Sequence, residues 1–331
     1  CSFLVMLGIL SIAGSVNLLV VRLFHNQYGE KGSSRVVDCL LKLILVYLLI
    51  PGFGVIFLFR CVGRIRTAPM WGEDLHEYKF VDAWLLDDMV KGSQELQMLI
   101  VALVILWGIG FLCSMGCKFI DTYWKLGEIH KASIRSKDPG LEAVKERVML
   151  ELSVRREIAI YVNHHIGSPF IAGLRNVRIY LPQIPESQEA QELIIQHELV
   201  HYKRKDILFK NLLLLLQAVH WFNPFMGVFK GYFTEINELA CDEAVLEGKD
   251  REQRYEYGRL IVQMLQQQSR LYSIVFLADY DMKCMERRLR QVMTCKKKVY
   301  RGFTVGAALL CAVSCPLTAF AVTRGAVSAE D

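Results

Sequence analysis

The chain has 331 residues, 53% of them hydrophobic, and a mean hydropathy of +0.27, which is too apolar for an ordinary soluble domain. Its formal net charge of +5 comes without any nucleic-acid motif, so no direct nucleic-acid partner is expected. Its ten cysteines fall mostly in uncharged blocks or in a segment read as cytoplasmic, where thiols stay reduced, so they form no disulfide framework.

Residues 1–21 carry no charge and reach the roughly 20 apolar residues that cross a bilayer. The block lacks the basic start of a signal peptide. The chain opens on Cys1 rather than Met and reads as a piece of a longer protein. Residues 22–42 form a basic loop, with Arg22, Lys31, Arg35 and Lys42 against Glu30 and Asp38. A second uncharged block, slightly short, covers 43–59. The loop at 61–96 is acidic, and its position makes it a candidate for signal input. The block at 98–117 is uncharged again, and residues 302–323 make a fourth such block before a short tail at 324–331. Cys113 with Cys117, and Cys311 with Cys315, stand four apart and read as small residues that let helices approach closely.

These blocks predict an α-helical membrane protein with four transmembrane helices: three in residues 1–117, a large polar domain at 118–301, and the fourth at 302–323. Arg287, Arg288, Arg290, Lys296, Lys297, Lys298 and Arg301 precede the fourth block, and such a cluster marks the cytoplasmic side. The N-terminus, the 61–96 loop and the tail are then outside, and the large domain is cytoplasmic.

Within that domain a helix continues from the third span through Trp124 and Lys125. The cluster Ser136-Lys137-Asp138-Pro139-Gly140 breaks it, and residues 141–152 are expected to be an amphipathic helix. Three strand-like pieces follow at 157–162, 169–173 and 177–181, ended by Pro182 and Pro185. Ser187 is a candidate N-cap for a helix over 188–204. Residues 207–219, with five leucines in a row, read as a buried core helix, and another helix runs over 225–246 with Gly248 as its stop.

The chemistry concentrates at His197-Glu198-Leu199-Val200-His201. Positions i and i+4 share one face of a helix, so both imidazoles can reach one metal ion, and Glu198 stands where a general base toward an activated water belongs. A second run, Asn237-Glu238-Leu239-Ala240-Cys241-Asp242, supplies a carboxylate on another helix, and a Glu there completes a catalytic zinc ligand set. Asp242, one turn after Glu238, can accept a hydrogen bond from the far nitrogen of a ligating His. Glu235, Glu243, His220 and Cys241 remain alternatives for the third ligand, with Cys241 read as packing.

Several runs resemble the BlaR/MecR family of membrane metallopeptidases, the β-lactam sensor-transducers and their relatives. They are Ser168-Pro169-Phe170-Ile171-Ala172-Gly173, Ile179-Tyr180-Leu181-Pro182, and His197 to His201 with Lys203-Arg204-Lys205-Asp206. His220-Trp221-Phe222-Asn223-Pro224 and Glu238 to Val245 follow in the same order. The resemblance implies a cytoplasmic α+β gluzincin-like zinc protease domain with a small sheet, placed between spans three and four. It implies His197, His201 and Glu238 as Zn2+ ligands, Glu198 as catalytic base, self-cleavage, and a cytoplasmic repressor-type protein as downstream substrate. In sensor members a penicillin-binding domain follows span four. Residues 324–331 hold no Ser-x-x-Lys acylation motif, so the expectation is either that the sensor lies outside this sequence or that this member has none.

The reading that follows is a membrane-embedded zinc metalloendopeptidase in regulated signalling, in a bacterial antibiotic response, acting on itself near Arg287-Arg288 or on the repressor. Its partners are the lipid bilayer, that repressor, and a second copy in a homodimer. A receptor or scaffold with a vestigial site is the alternative, against which the intact Glu198 argues. A transporter fits poorly, because the four blocks carry no Asp, Glu, Lys or Arg.

Overall fold

A computed structural model describes residues 2–28, 33–49, 94–185, 187–271 and 275–294. Three long helices come from the N-terminal part: α1 (Ser2–Tyr28), α2 (Ser34–Leu49) and α3 (Gln94–Lys131). Among the described residues, α3 is the one helix long and apolar enough to cross a membrane, and α1 contributes a shorter apolar stretch, Leu10–Leu23. The expected second span falls partly on α2 and partly outside the described residues. The 61–96 loop up to residue 93 and the fourth span at 302–323 also lie outside them.

One sequence expectation fails here. Residues 34–42 are not a membrane-flanking loop but the first half of α2, and Asp38 is buried, at 5% exposure. The periodicity accounts for this: Val37, Leu40, Leu41, Ile44, Leu45 and Leu48 make one apolar face. All of these but Leu40 pack with Leu213 and Leu216 and with Met226, Phe229, Phe233 and Ile236, in one core.

The remaining elements are β1 (Ile134–Arg135), α4 (Pro139–Glu151), β2 (Ala159–Val162), β3 (Phe170–Ala172) and β4 (Arg178–Leu181). They continue as α5 (Gln188–Lys203), α6 (Asp206–Val219), α7 (Phe225–Val245), α8 (Arg251–Leu271) and α9 (Val275–Met293). The caps behave as their residue types require: Asp138 accepts from the amides of Gly140 and Leu141, and Ser187 from that of Ala190. The four strands run in the order β1-β2-β4-β3. β2 and β4 are parallel, while β1–β2 and β3–β4 are antiparallel. β3 therefore lies at an edge, and β4 is enclosed. Ile160, Ile179 and Leu181 pack against Leu141, Val144 and Val148 of α4 and Ile195 and Leu199 of α5, so the sheet sits directly on the helix that carries the histidines.

The leucine-rich α6 is only partly buried: Leu213 and Leu216 face the core, while Leu208 is 42% exposed. Its far end meets the middle of α3. The indole of Trp107 donates to the Val219 carbonyl at 3.1 Å, and a Cβ on Gly110 would stand 2.2 Å from the Trp221 ring. Gly110 is the small residue that permits the approach. Cys113 and Cys117 are exposed among the described residues. Asn223 in the same turn donates to the hydroxyls of Ser11 and Ser15 on α1.

Candidate metal centre

α5 carries His197, Glu198 and His201, and α7 carries Glu238. The two helices pack through Leu193 and Val200 against Cys241 and Val245, which brings the four polar residues to the inner end of one cleft of about 350 Å³. His197 Nε2 and His201 Nε2 stand 3.2 Å apart. Each is 3.5 Å from a carboxylate oxygen of Glu238. Three donors held at about 2.0–2.2 Å from one tetrahedral ion would stand about 3.3–3.6 Å from one another. The donor set and its spacing fit a divalent cation.

Three of the alternatives for the third donor are engaged elsewhere. Glu235 pairs with Arg287. Glu243 accepts from the Ser34 amide at 2.7 Å. His220 Nε2 faces the Leu48 carbonyl at 3.3 Å. Cys241 is fully buried against His197, and its Sγ lies within 4.8 Å of donor atoms of both histidines, so His197, His201 and Cys241 also form a group able to hold an ion. Its contacts, however, are with His197 Nδ1 at 3.6 Å and the His197 carbonyl at 3.4 Å. Those lie away from His197 Nε2, whereas Glu238 stands 3.5 Å from both Nε2 atoms.

With the Nε2 atoms turned inward, each Nδ1–H needs an outward acceptor. His201 Nδ1 donates to Asp206 Oδ2 at 2.8 Å. His197 Nδ1 donates to the Tyr257 hydroxyl at 2.7 Å, and Tyr257 in turn donates to Asp242 Oδ1 at 2.6 Å. Asp242 itself is 3.5 Å from His197 Nδ1, so its role as acceptor runs through Tyr257. Arg288 holds Asp242 with two bonds of 2.7 and 2.8 Å, the bidentate geometry a guanidinium favours. Arg288 is thus a buried partner within α9 rather than part of an exposed basic cluster.

The electrostatics favour a bound cation. Burial alone would lower the His197 imidazole, but Cys241 and Glu238 outweigh it and pull His197 up to about 10. His201 is drawn upward against the same burial by Cys241, Glu238 and Asp206. Burial would raise Glu238, yet His201, His197 and Arg288 hold it well below the usual carboxylate range. Without an ion, such a pocket gathers protons on its imidazoles, and a divalent ion displaces them.

The cleft opens along β3: Ser168, Pro169, Phe170 and Ile171 form one wall, and Ile207, Leu260, Ile261, Met264 and Met285 supply apolar surface. Glu198, at 5% exposure, lines it beside both histidines. The sequence analysis assigned no role in the site to Asp206, Tyr257 or Arg288. Asp206 had a signal, since it ends the run that follows the His motif, whereas nothing local marks Tyr257 or Arg288.

A family model described as BlaR1 peptidase M56 matches residues 73–292, about two thirds of the chain. The "Regulatory protein BlaR1" of Bacillus licheniformis is 28% identical over 173 residues, which cover 51% of this chain and 29% of that protein. The "Methicillin resistance mecR1 protein" of Staphylococcus aureus strain Mu50 and that of Staphylococcus epidermidis are each 27% identical over 167 residues, covering 48% of this chain and 28% of theirs. The chain thus spans under a third of the length of these curated relatives.

Proposed function

Since the chain belongs to the BlaR1 peptidase M56 family, we propose that it is a membrane-embedded zinc metalloendopeptidase of regulated signalling, with His197, His201 and Glu238 as ligands and Glu198 as general base. One observation carries the reading: His197 Nε2, His201 Nε2 and the Glu238 carboxylate converge at 3.2–3.5 Å in a cleft that Glu198 also lines. Two imidazoles and a carboxylate suit zinc, and the ion would supply Lewis acidity toward water and the scissile carbonyl. Glu198 takes the proton of the attacking water and passes it to the departing amine. The Asp206 and Tyr257–Asp242 acceptors keep both imidazoles in the Nδ1–H tautomer, with Nε2 free to bind.

Peptide hydrolysis also needs an extended substrate. Among the described residues the outer side of the edge strand β3 is unpaired, which lets one add alongside, and the apolar wall receives its side chains. The substrate class is a cytoplasmic repressor-type protein, the chain itself, or both, in an antibiotic response of the kind that the relatives' names describe. The domain at 118–301 is then cytoplasmic, between the third and fourth spans of a bacterial membrane protein. A cut near Arg287-Arg288 requires α9 to unwind first, because Arg288 is helical and paired with Asp242.

The test compares the purified membrane protein with Glu198→Ala, following fragments on a gel, alone and with a candidate repressor. Fragments that vanish in the variant establish the peptidase. Identical behaviour of the two proteins, both carrying zinc and mixed with that repressor, favours a receptor with a vestigial site.

A further inference from the structure

Behind His201 lies a closed ring of four charges that α2 helps to build. Lys42 Nζ bonds Asp206 Oδ1 at 2.6 Å and Asp38 Oδ2 at 2.8 Å. Arg204 reaches the same Asp38 oxygen at 2.8 Å and Asp206 Oδ2 at 3.3 Å. Each cation therefore bridges both carboxylates. The side chains are 12%, 7%, 16% and 1% exposed for Lys42, Asp38, Arg204 and Asp206, so the ring is nearly shut off from water. Asp206 Oδ2 is the acceptor of the His201 Nδ1 proton. On the opposite side, Asp38 Oδ1 accepts from Asn237 at 3.2 Å, and Asn237 immediately precedes Glu238. The ring thus touches both helices that present donors to the metal centre.

Stability does not account for such a ring, since replacing buried ion pairs with apolar residues is often neutral or favourable. Its location does. A carboxylate held by Lys42 at Oδ1 and by Arg204 at Oδ2 has its position and charge fixed where Oδ2 meets the imidazole. α2 is tied at its N-terminus as well: Glu243 accepts from the Ser34 amide, and Arg35 donates to the Glu243 carbonyl at 2.9 Å. Glu243 adjoins Asp242, the anchor of the Tyr257 relay. α2 spans the back of the site from one supporting carboxylate to the other.

We propose that Lys42 and Asp38 are positioning residues of the metal centre, acting through Asp206, so that these two side chains of α2 set the orientation of His201 and the affinity for metal. This rests on the metal-centre reading above. It gives an N-terminal helix a direct lever on the site, without a moving lid.

The experiment uses the full chain in detergent. Metal affinity is measured by chelator competition with zinc, and visible absorption is recorded on cobalt-loaded protein, which reports ligand geometry. Lys42→Met and Asp38→Asn should each weaken metal binding by about 10–100-fold, the usual range for groups that support a ligand, and shift the cobalt bands. Lys42→Arg should restore most of the affinity. Leu45→Ala, which hollows α2 at a fully buried site outside the ring, should lower the unfolding temperature yet leave affinity and spectrum unchanged. In an Asp206→Asn background, Lys42→Met should add little.

Equal affinity in wild type and Asp38→Asn, the milder change should Lys42→Met not fold, would overturn the proposal. So would a loss in Leu45→Ala matching that in Lys42→Met, or full additivity with Asp206→Asn. A wild type that binds no metal overturns the peptidase reading and this proposal together. A wild type that binds metal alongside unaffected ring variants overturns this proposal alone.

Discussion

The two histidines of the site are supported in different ways. His201 leans on a carboxylate five positions away, reached across one tight turn in which Lys205 takes φ 60°, a left-handed conformation that costs a non-glycine residue about 1–2 kcal/mol. That carboxylate belongs to a ring of four charges. His197 leans on a neutral phenol from α8, which passes the bond to Asp242 and then to Arg288 of α9. One side is short-range and ionic at its contact with the ring, while the other is a relay assembled from three helices distant in sequence. Equivalent ligands therefore need not share a mode of support, and the two sides should fail differently.

Glu198 supports neither imidazole and serves as the reference. Glu198→Gln should reduce cleavage by about 10²–10⁴-fold with zinc still bound, as read by fragment formation and metal analysis. The next largest effects are on stability. Arg288→Met leaves Asp242 buried without its cation, and Asp206→Asn leaves Lys42 and Arg204 short of an anion. Each should cost about 3–5 kcal/mol in denaturant unfolding, with metal affinity falling more in Asp206→Asn because it contacts a ligand directly.

Tyr257→Phe sharpens the contrast. It removes two hydrogen bonds, the one accepted from His197 and the one donated to Asp242, and leaves Asp242 paired with Arg288; only the first bears on a ligand, so metal affinity should fall by about tenfold or less, in line with about 0.5–1.5 kcal/mol for such a bond. A loss as great as that of Asp206→Asn would erase the distinction between the two sides. A further effect is one of pH. His197 has its pKa pulled up to about 10, so at neutral pH the metal-free imidazole is protonated and must give up that proton to bind. Affinity should rise with pH toward about 10, with proton uptake by the buffer measurable by calorimetry in buffers of different ionisation enthalpy.

The sequence by itself determined the elements and the chemical core of the site. The Ser187 cap and the Gly248 stop marked the helices at 188–204 and 225–246, short strand-like pieces ended by Pro182 and Pro185 marked three strands, and the His197–His201 spacing put two imidazoles on one face. Glu238 was legible because a metal of this kind needs a third donor. These are local facts, set by 3.6-residue periodicity and by the chemistry of single side chains. Only the tertiary structure decided that β3 is the open edge, since strand order depends on pairing rather than propensity. It also decided that Lys42 and Asp38 belong to the interior. Counted along the chain, charges beside an apolar block look like a membrane flank, and only the packing of α2 on α7 turns them inward to meet Asp206. Tyr257 and Arg288 were illegible for the same reason: a hydrogen bond to residue 197 or 242 from α8 or α9 leaves no spacing in the sequence, because it is set by how helices stack.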